Sequence, residues 1–228
     1  STEAFLSDGY GGGIYITGGS TATISECEVI GNNALTGAGI LSNGSAAEIS
    51  DCVIRGNAAS RLLASGHIGG IGASGENRIL RCQITDNRAL DFSGTHGGGS
   101  VYGGLIADCL IAGNYAEGGG GGIGLGGGAL MERCTITNNR GPEMFGGVGV
   151  EDQATLRGCV VAQNASMRGG GIGVTAGPAT IEGCTVTENI GTTEGGGIHV
   201  RSGATVTVTR TIVWGNCAAY GADEIHVG

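Results

Sequence analysis

Apolar residues in this chain fall at fixed offsets from a recurring asparagine, and the offsets suit short strands rather than helices. The asparagines are Asn32, Asn57, Asn87, Asn114, Asn139, Asn164, Asn189 and Asn216, separated by steps of 25 to 30 residues. Five positions before each stands Cys27, Cys52, Cys82, Cys109, Cys134, Cys159 or Cys184, with Thr211 in the eighth place. Two positions after that column come Val29, Ile54, Ile84, Ile111, Ile136, Val161, Val186 and Val213. Three positions before it come Ile24, Ile49, Ile79, Ile106, Met131, Leu156, Ile181 and Val208. Apolar residues alternating with others at period two predict strands with one buried face. A further apolar column follows Gly-rich runs: Ile14, Ile40, Ile71, Val101, Ile123, Val148, Ile172 and Ile198, with the alignment open around Val101.

Three short strands per repeat of about 25 residues, parted by Gly and Asn corners, cannot bury their inward side chains unless the next repeat stacks on them. The predicted fold is therefore all-β: a parallel β-helix, or β-solenoid, of about eight to nine coils, forming one domain over residues 1–228. Coils stacked at roughly 4.8 Å make a rod of about 40 Å. A leucine-rich repeat has a similar period, but its Leu-x-x-Leu-x-Leu pattern is absent.

The repeated unit is Gly-Gly-Gly-Ile, an apolar–polar strand, then Cys-x-Ile-x-x-Asn. It resembles the right-handed parallel β-helix repeats of bacterial surface proteins, including polymorphic outer-membrane-protein and pectate-lyase-like families, over essentially the whole chain. The segment Thr211-Ile-Val-Trp-Gly-Asn216, followed by Asp223-Glu224-Ile225, is similar to a late coil of long secreted β-helix proteins. The resemblance implies an extracellular or cell-surface location. It implies a fold more than an activity, because one scaffold of this kind carries enzymes, adhesins and inert stalks.

Composition narrows the partners. Gly supplies 51 of 228 residues and Pro only 2, without the third-position period of collagen, and interior Gly disfavours long helices. At 40% hydrophobic and 14% charged the chain is too apolar for disorder. The formal net charge is -9, and all 11 basic residues are Arg, which makes nucleic acid and anionic membranes poor partners. No apolar stretch is long enough for a membrane helix, so no membrane insertion is expected. The chain begins at Ser1, as a processed mature protein or an excerpt of a longer one would.

The repeated Asn predicts a ladder of corner amides bonded from coil to coil. The Cys column lacks Cys-x-x-Cys spacing, so zinc is not expected there and the thiols read as small core hydrophobes. Cys217, outside the column, is the thiol expected to be exposed or to cross-link. Gly-rich runs such as Gly118 to Gly122 and Gly169 to Gly171 meet no Lys for a phosphate loop and no Asp for a calcium repeat; they are expected to supply positive φ at corners. Gly72, Gly124, Gly149 and Gly173 should form a bare outward stripe open to another backbone. Outward neighbours of the Cys strand include Ile30, Val53, Leu110, Val160, Ile212 and Trp214, a partner-like surface, with too few Thr-x-Thr pairs for ice binding.

Two long loops follow Asn57 and Asn87 and carry Arg61, His67, Arg88, Asp91 and His96. Stacking would set them side by side as a lip for a glycan or for polysaccharide chemistry. The Asn-Thr-Asp and Asp-Asp motifs of pectin hydrolases are absent. The expected function is a non-enzymatic extracellular structural or adhesive β-helix, self-associating end to end through the edges near Ile14 to Thr17 and Glu224 to Val227, or laterally. The alternative is a carbohydrate-active or cell-surface glycan-binding protein using the lip. No cofactor and no metal are expected.

Overall fold

A computed structural model of the protein describes residues 9–59, 67–90, 96–220 and 222–227. Within them every regular element is a strand and every strand pairing is parallel. Three sheets run along the molecule. Sheet 1 has nine strands, from Ile14–Ile16 to Ile225–Val227; sheet 2 has eight, from Thr21–Ser25 to Thr205–Thr209; sheet 3 has eight, from Glu28–Ile30 to Ile212–Trp214. Successive strands in each sheet come from successive turns, so the chain is a parallel β-solenoid of about eight turns. Among the described residues no helix is long and apolar enough to cross a membrane.

The apolar columns stack inside. Ile79 pairs in register with Ile49 and Ile106, Ile136 with Ile111 and Val161, and all five isoleucines and Val161 are fully buried. One column departs from the sequence alignment. Gly99, not Val101, stands in register with Ile71 and Ile123, while Val101 pairs with Ala73 and Leu125. The shift is two residues, so it preserves the alternation and Val101 still faces the core at 0% exposure. The sequence also predicts three strands per coil, and a fourth short row follows the ladder Asn, as in Ala58–Ala59, Arg88–Ala89 and Tyr115–Ala116. Two residues are too few to display an alternation.

Two corners of each turn are set by left-handed backbone. The residue before each Cys or Thr211 and the residue before each ladder Asn have positive φ, as at Asp108 (58°), Arg133 (53°), Gly113 (67°) and Asn138 (55°). The Gly-rich runs have another cause than the one expected. Gly118 to Gly122 are outside the positive-φ set, and in Gly169 to Gly171 only Gly169 belongs to it. Gly120 to Gly122, Gly170 and Gly171 instead permit close approach: a Cβ on Gly122 would lie 2.0 Å from the Gly147 carbonyl oxygen of the next turn, and one on Gly171 would lie 2.7 Å from that of Gly197.

The asparagine amides form a continuous ladder. The backbone N–H and Nδ2 of Asn114 both donate to Asn139 Oδ1, at 3.0 and 2.9 Å, while Asn139 Nδ2 donates to Ile111 O at 2.9 Å. The pattern recurs from Asn32 to Asn216. At Asn216 the next amide is replaced by a carboxylate: Asn216 Nδ2 donates to Glu224 Oε2 at 2.7 Å and Gly215 N–H to Glu224 Oε1 at 3.0 Å. Glu224, expected at a bare edge, thus caps the ladder.

The thiols form a parallel stack without disulfides. Cys82 N–H points at Cys109 Sγ (3.3 Å), and Cys184 N–H at Thr211 Oγ1 (3.3 Å), so the hydroxyl at the eighth place accepts the bond a thiol accepts elsewhere. Burial pushes the Cys52 thiol pKa up. Cys217 is exposed, and so is Cys27.

Candidate functional site

The outer face of sheet 1 is set apart by its central column, whose middle stretch from Gly72 to Gly173 holds only Gly and one Ser. Tyr15, Leu41, Gly72, Ser100, Gly124, Gly149, Gly173, His199 and His226 follow one another in strict register. The stripe is not open to another backbone, as the sequence alone suggested. Side chains from this chain's own corners and neighbouring strands lie on it. A Cβ on Gly124 would meet His96 Nε2 at 2.4 Å, one on Gly149 would meet the Phe145 ring at 2.2 Å, and one on Gly72 would meet Leu41 at 2.7 Å. Phe145 is thereby buried to 2% exposure on what would otherwise be a solvent face, with His96 edge-on at a centroid distance of 5.3 Å.

The opposite wall is built from four successive outward positions, Tyr102, Gly126, Glu151 and Thr175. Tyr102 is in register with Gly126, whose missing side chain lets the phenol lean across to the following turn. There its hydroxyl donates to Glu151 Oε1, and Thr175 Oγ1 donates to Glu151 Oε2 at 2.8 Å. The hydrogen bond to the carboxylate, with partial burial, pushes the Tyr102 pKa up to about 12, since ionisation would set two negative charges together. Between the walls lies a cavity of about 340 Å³, with His96, Ser100, Tyr102, Phe145, Glu151 and Thr175 among its lining residues. A second hollow of about 170 Å³ shares Ser100 and Tyr102 and extends the first toward Leu41 and Asn43.

The family profile described as "Right handed beta helix region" matches residues 2–103 and 38–213. The chain belongs to this right-handed β-helix family. No curated protein and no solved structure shows significant similarity to it.

Within this β-helix the residues anticipated as a lip do not share one surface. Arg61 and Asp91 lie outside the described residues. His67 and His96 are adjacent through the backbone, His96 N–H donating to His67 O at 3.1 Å. Their side chains diverge. His67 is fully buried with Nδ1 against Leu35 O, whereas His96 lies over the glycine stripe. Arg88 belongs to the fourth strand row, its guanidinium 5.7 Å from the Tyr115 ring centroid. Only His96 of the three reaches the groove.

Tyr102, Glu151, Thr175 and Phe145 were not anticipated as a site. Glu151 and Thr175 each follow an inward Val of sheet 1, Tyr102 follows the inward Val101, and outward positions there carry no periodic constraint that would single them out. Among the described residues one set of His and carboxylate donors converges as metal ligands would: Glu194, His199 and His226, farther along the same face.

Proposed function

We propose that this β-helix is a non-enzymatic extracellular or surface scaffold whose sheet 1 groove holds a neutral saccharide chain. The observation that carries the reading is the row Tyr102, Glu151 and Thr175 beside a glycine floor. Tyr102 keeps 42% of its surface exposed, presenting an aromatic face for sugar C–H groups beside fixed polar atoms. A cavity of about 340 Å³ is in the range of small-ligand sites, which begins at about 300 Å³. Tyr15, 45% exposed, stands in the column of the glycine floor, in line with Ser100 rather than with Tyr102, three inter-strand steps or about 14 Å from the turn of Tyr102, which suits an extended ligand.

Glu151 is the one carboxylate among the described residues lining the groove, and both its oxygens are engaged. Two-carboxylate hydrolysis needs a second acid at about 5 to 9.5 Å. No Arg is among those lining residues, and a lone carboxylate disfavours uronates. Calorimetry against neutral and acidic oligosaccharides tests the proposal. Binding of a neutral chain, weakened at least tenfold by Tyr102→Ala, is expected. Binding of none, or preference for uronates, refutes the ligand class, and release of reducing ends or unsaturated sugars refutes the non-enzymatic reading.

Self-association is a second reading with its own support. Ile212 and Trp214 are 62% and 71% exposed on one strand of sheet 3, an apolar pair suited to lateral contact. Sedimentation should show concentration-dependent assembly, abolished by Trp214→Ser. A monomer at millimolar concentration excludes it.

A further inference from the structure

The outward column of sheet 1 runs through small residues and then ends in two histidines. Ile198–Val200 and Ile225–Val227 are adjacent strands in register, so His199 sits directly beside His226. Their rings are parallel within 5°, with centroids 5.4 Å apart. Glu194 reaches them from the preceding corner. The chain reverses at Gly195 (φ +60), where a Cβ would lie 2.9 Å from His199 Cβ, and this tight reversal folds Glu194 back over the strand it leads into. Glu194 Oε2 lies 3.5 Å from His199 Nε2 and 3.9 Å from His226 Nε2. One ligand atom from each residue lies within 4.8 Å of the other two.

We propose that Glu194, His199 and His226 form a binding site for a divalent first-row transition ion of the zinc type. Two imidazoles and one carboxylate suit such ions, whereas calcium and magnesium select oxygen donors. Bonds of about 2.0 to 2.1 Å in a tetrahedral site put donor atoms roughly 3.3 Å apart. The two Glu194 separations therefore need to close by about 0.2 and 0.6 Å and the histidine pair, within 4.8 Å, by at most about 1.5 Å, a range that side-chain torsions of the more exposed His226 and Glu194 supply. His199 is fixed by its surroundings, its side chain only 12% exposed, while the His226 and Glu194 side chains are 26% and 39% exposed and free to adjust. Arg168 Nε lies 3.6 Å from the same Glu194 oxygen. With its side chain 52% exposed, Arg168 can turn outward when an ion takes that place. Three protein ligands leave a coordination position for water or an external donor. Because the histidines belong to neighbouring strands, the ion ties strand Ile225–Val227 to the turn before it.

Zinc titration of the full chain by calorimetry, in a Cys27→Ser/Cys217→Ser background that removes the exposed thiols, tests the site. One ion per chain is expected, with no comparable calcium binding, and affinity should fall at least tenfold in Glu194→Gln and in His226→Gln. Amide exchange over residues 225–227 should slow with zinc in the parent and not in His226→Gln. Glu194 is at the surface, so its variant decides the matter even where a histidine substitution disturbs folding. No saturable binding up to about millimolar zinc, undiminished binding in both variants, or equal affinity for calcium would overturn the proposal.

Discussion

Removing one rung from the middle of the asparagine ladder should cost far more than removing the same residue from its first turn. Asn139 Oδ1 accepts the N–H of Asn114 at 3.0 Å and its Nδ2 at 2.9 Å; Asn139 Nδ2 donates to Ile111 O and to Asn164 Oδ1, both at 2.9 Å. In Asn139→Ala two of these partners keep a second bond: Asn114 Nδ2 still donates to Ile84 O, and Asn164 Oδ1 still accepts the N–H of residue 139. The Asn114 N–H loses its acceptor and Ile111 O loses a donor. A buried polar group stripped of its partner, here the Asn114 N–H, costs about 1–3 kcal/mol, and the second bond lost at Ile111 O, which remains in the strand ladder, about 1 kcal/mol more, so the total is about 2–4 kcal/mol. Asn32→Ala, by contrast, removes among the described residues only a 3.0 Å bond to Asn57 Oδ1, which still accepts the Asn32 N–H at 2.9 Å. Its cost should stay below about 1 kcal/mol. A gap of about 2 kcal/mol is roughly thirtyfold in the folding constant and is readable from urea unfolding followed by circular dichroism at equal slope. Equal losses at the two positions, or an Asn139→Ala variant within about 0.5 kcal/mol of the parent, would refute the accounting.

Of the eight free thiols, Cys27 and Cys217 should react rapidly with a disulfide reagent under native conditions and the six buried ones only on unfolding; a third fast thiol would contradict the stack. In an alkaline absorbance titration one of the five tyrosines should ionise last, near pH 12, and Tyr102→Phe should abolish that step. Because the folded pKa lies above the ordinary tyrosine value of about 10, the contribution of this bond to stability is complete below that pH and is lost as pH rises through about 12. Gly122→Ala, whose Cβ would lie 2.0 Å from Gly147 O, should cost at least about 3 kcal/mol. Gly44→Ala, at φ +60 with open space around it, should cost about 1–2 kcal/mol. Thermal unfolding that ranks them the other way would remove the close-approach explanation.

The solenoid was legible in the sequence because its defining features are one-dimensional. A repeat near 25 residues, an alternation of period two and an Asn at a constant offset leave stacking as the way to bury the columns and pair the amides. The Cys column was equally readable, including Thr211, whose hydroxyl keeps the bond geometry of a thiol. The tertiary structure alone decided what happens outside the coil. His67 and His96 lie on successive loops, yet one turns into the interior and the other onto the glycine stripe, because loop side chains follow local packing rather than the repeat. The groove draws Tyr102, Glu151 and Thr175 from three turns at outward positions, where no core demands a residue type. The set Glu194, His199 and His226 left one trace, the tripeptide Ile-His-Val at 198–200 and again at 225–227. The strand register aligned the two histidines, and the reversal at Gly195 brought in the carboxylate. Inward positions are set by the need to leave water, which a sequence records as periodicity; outward contacts depend on where a corner happens to fold, which it records only residue by residue.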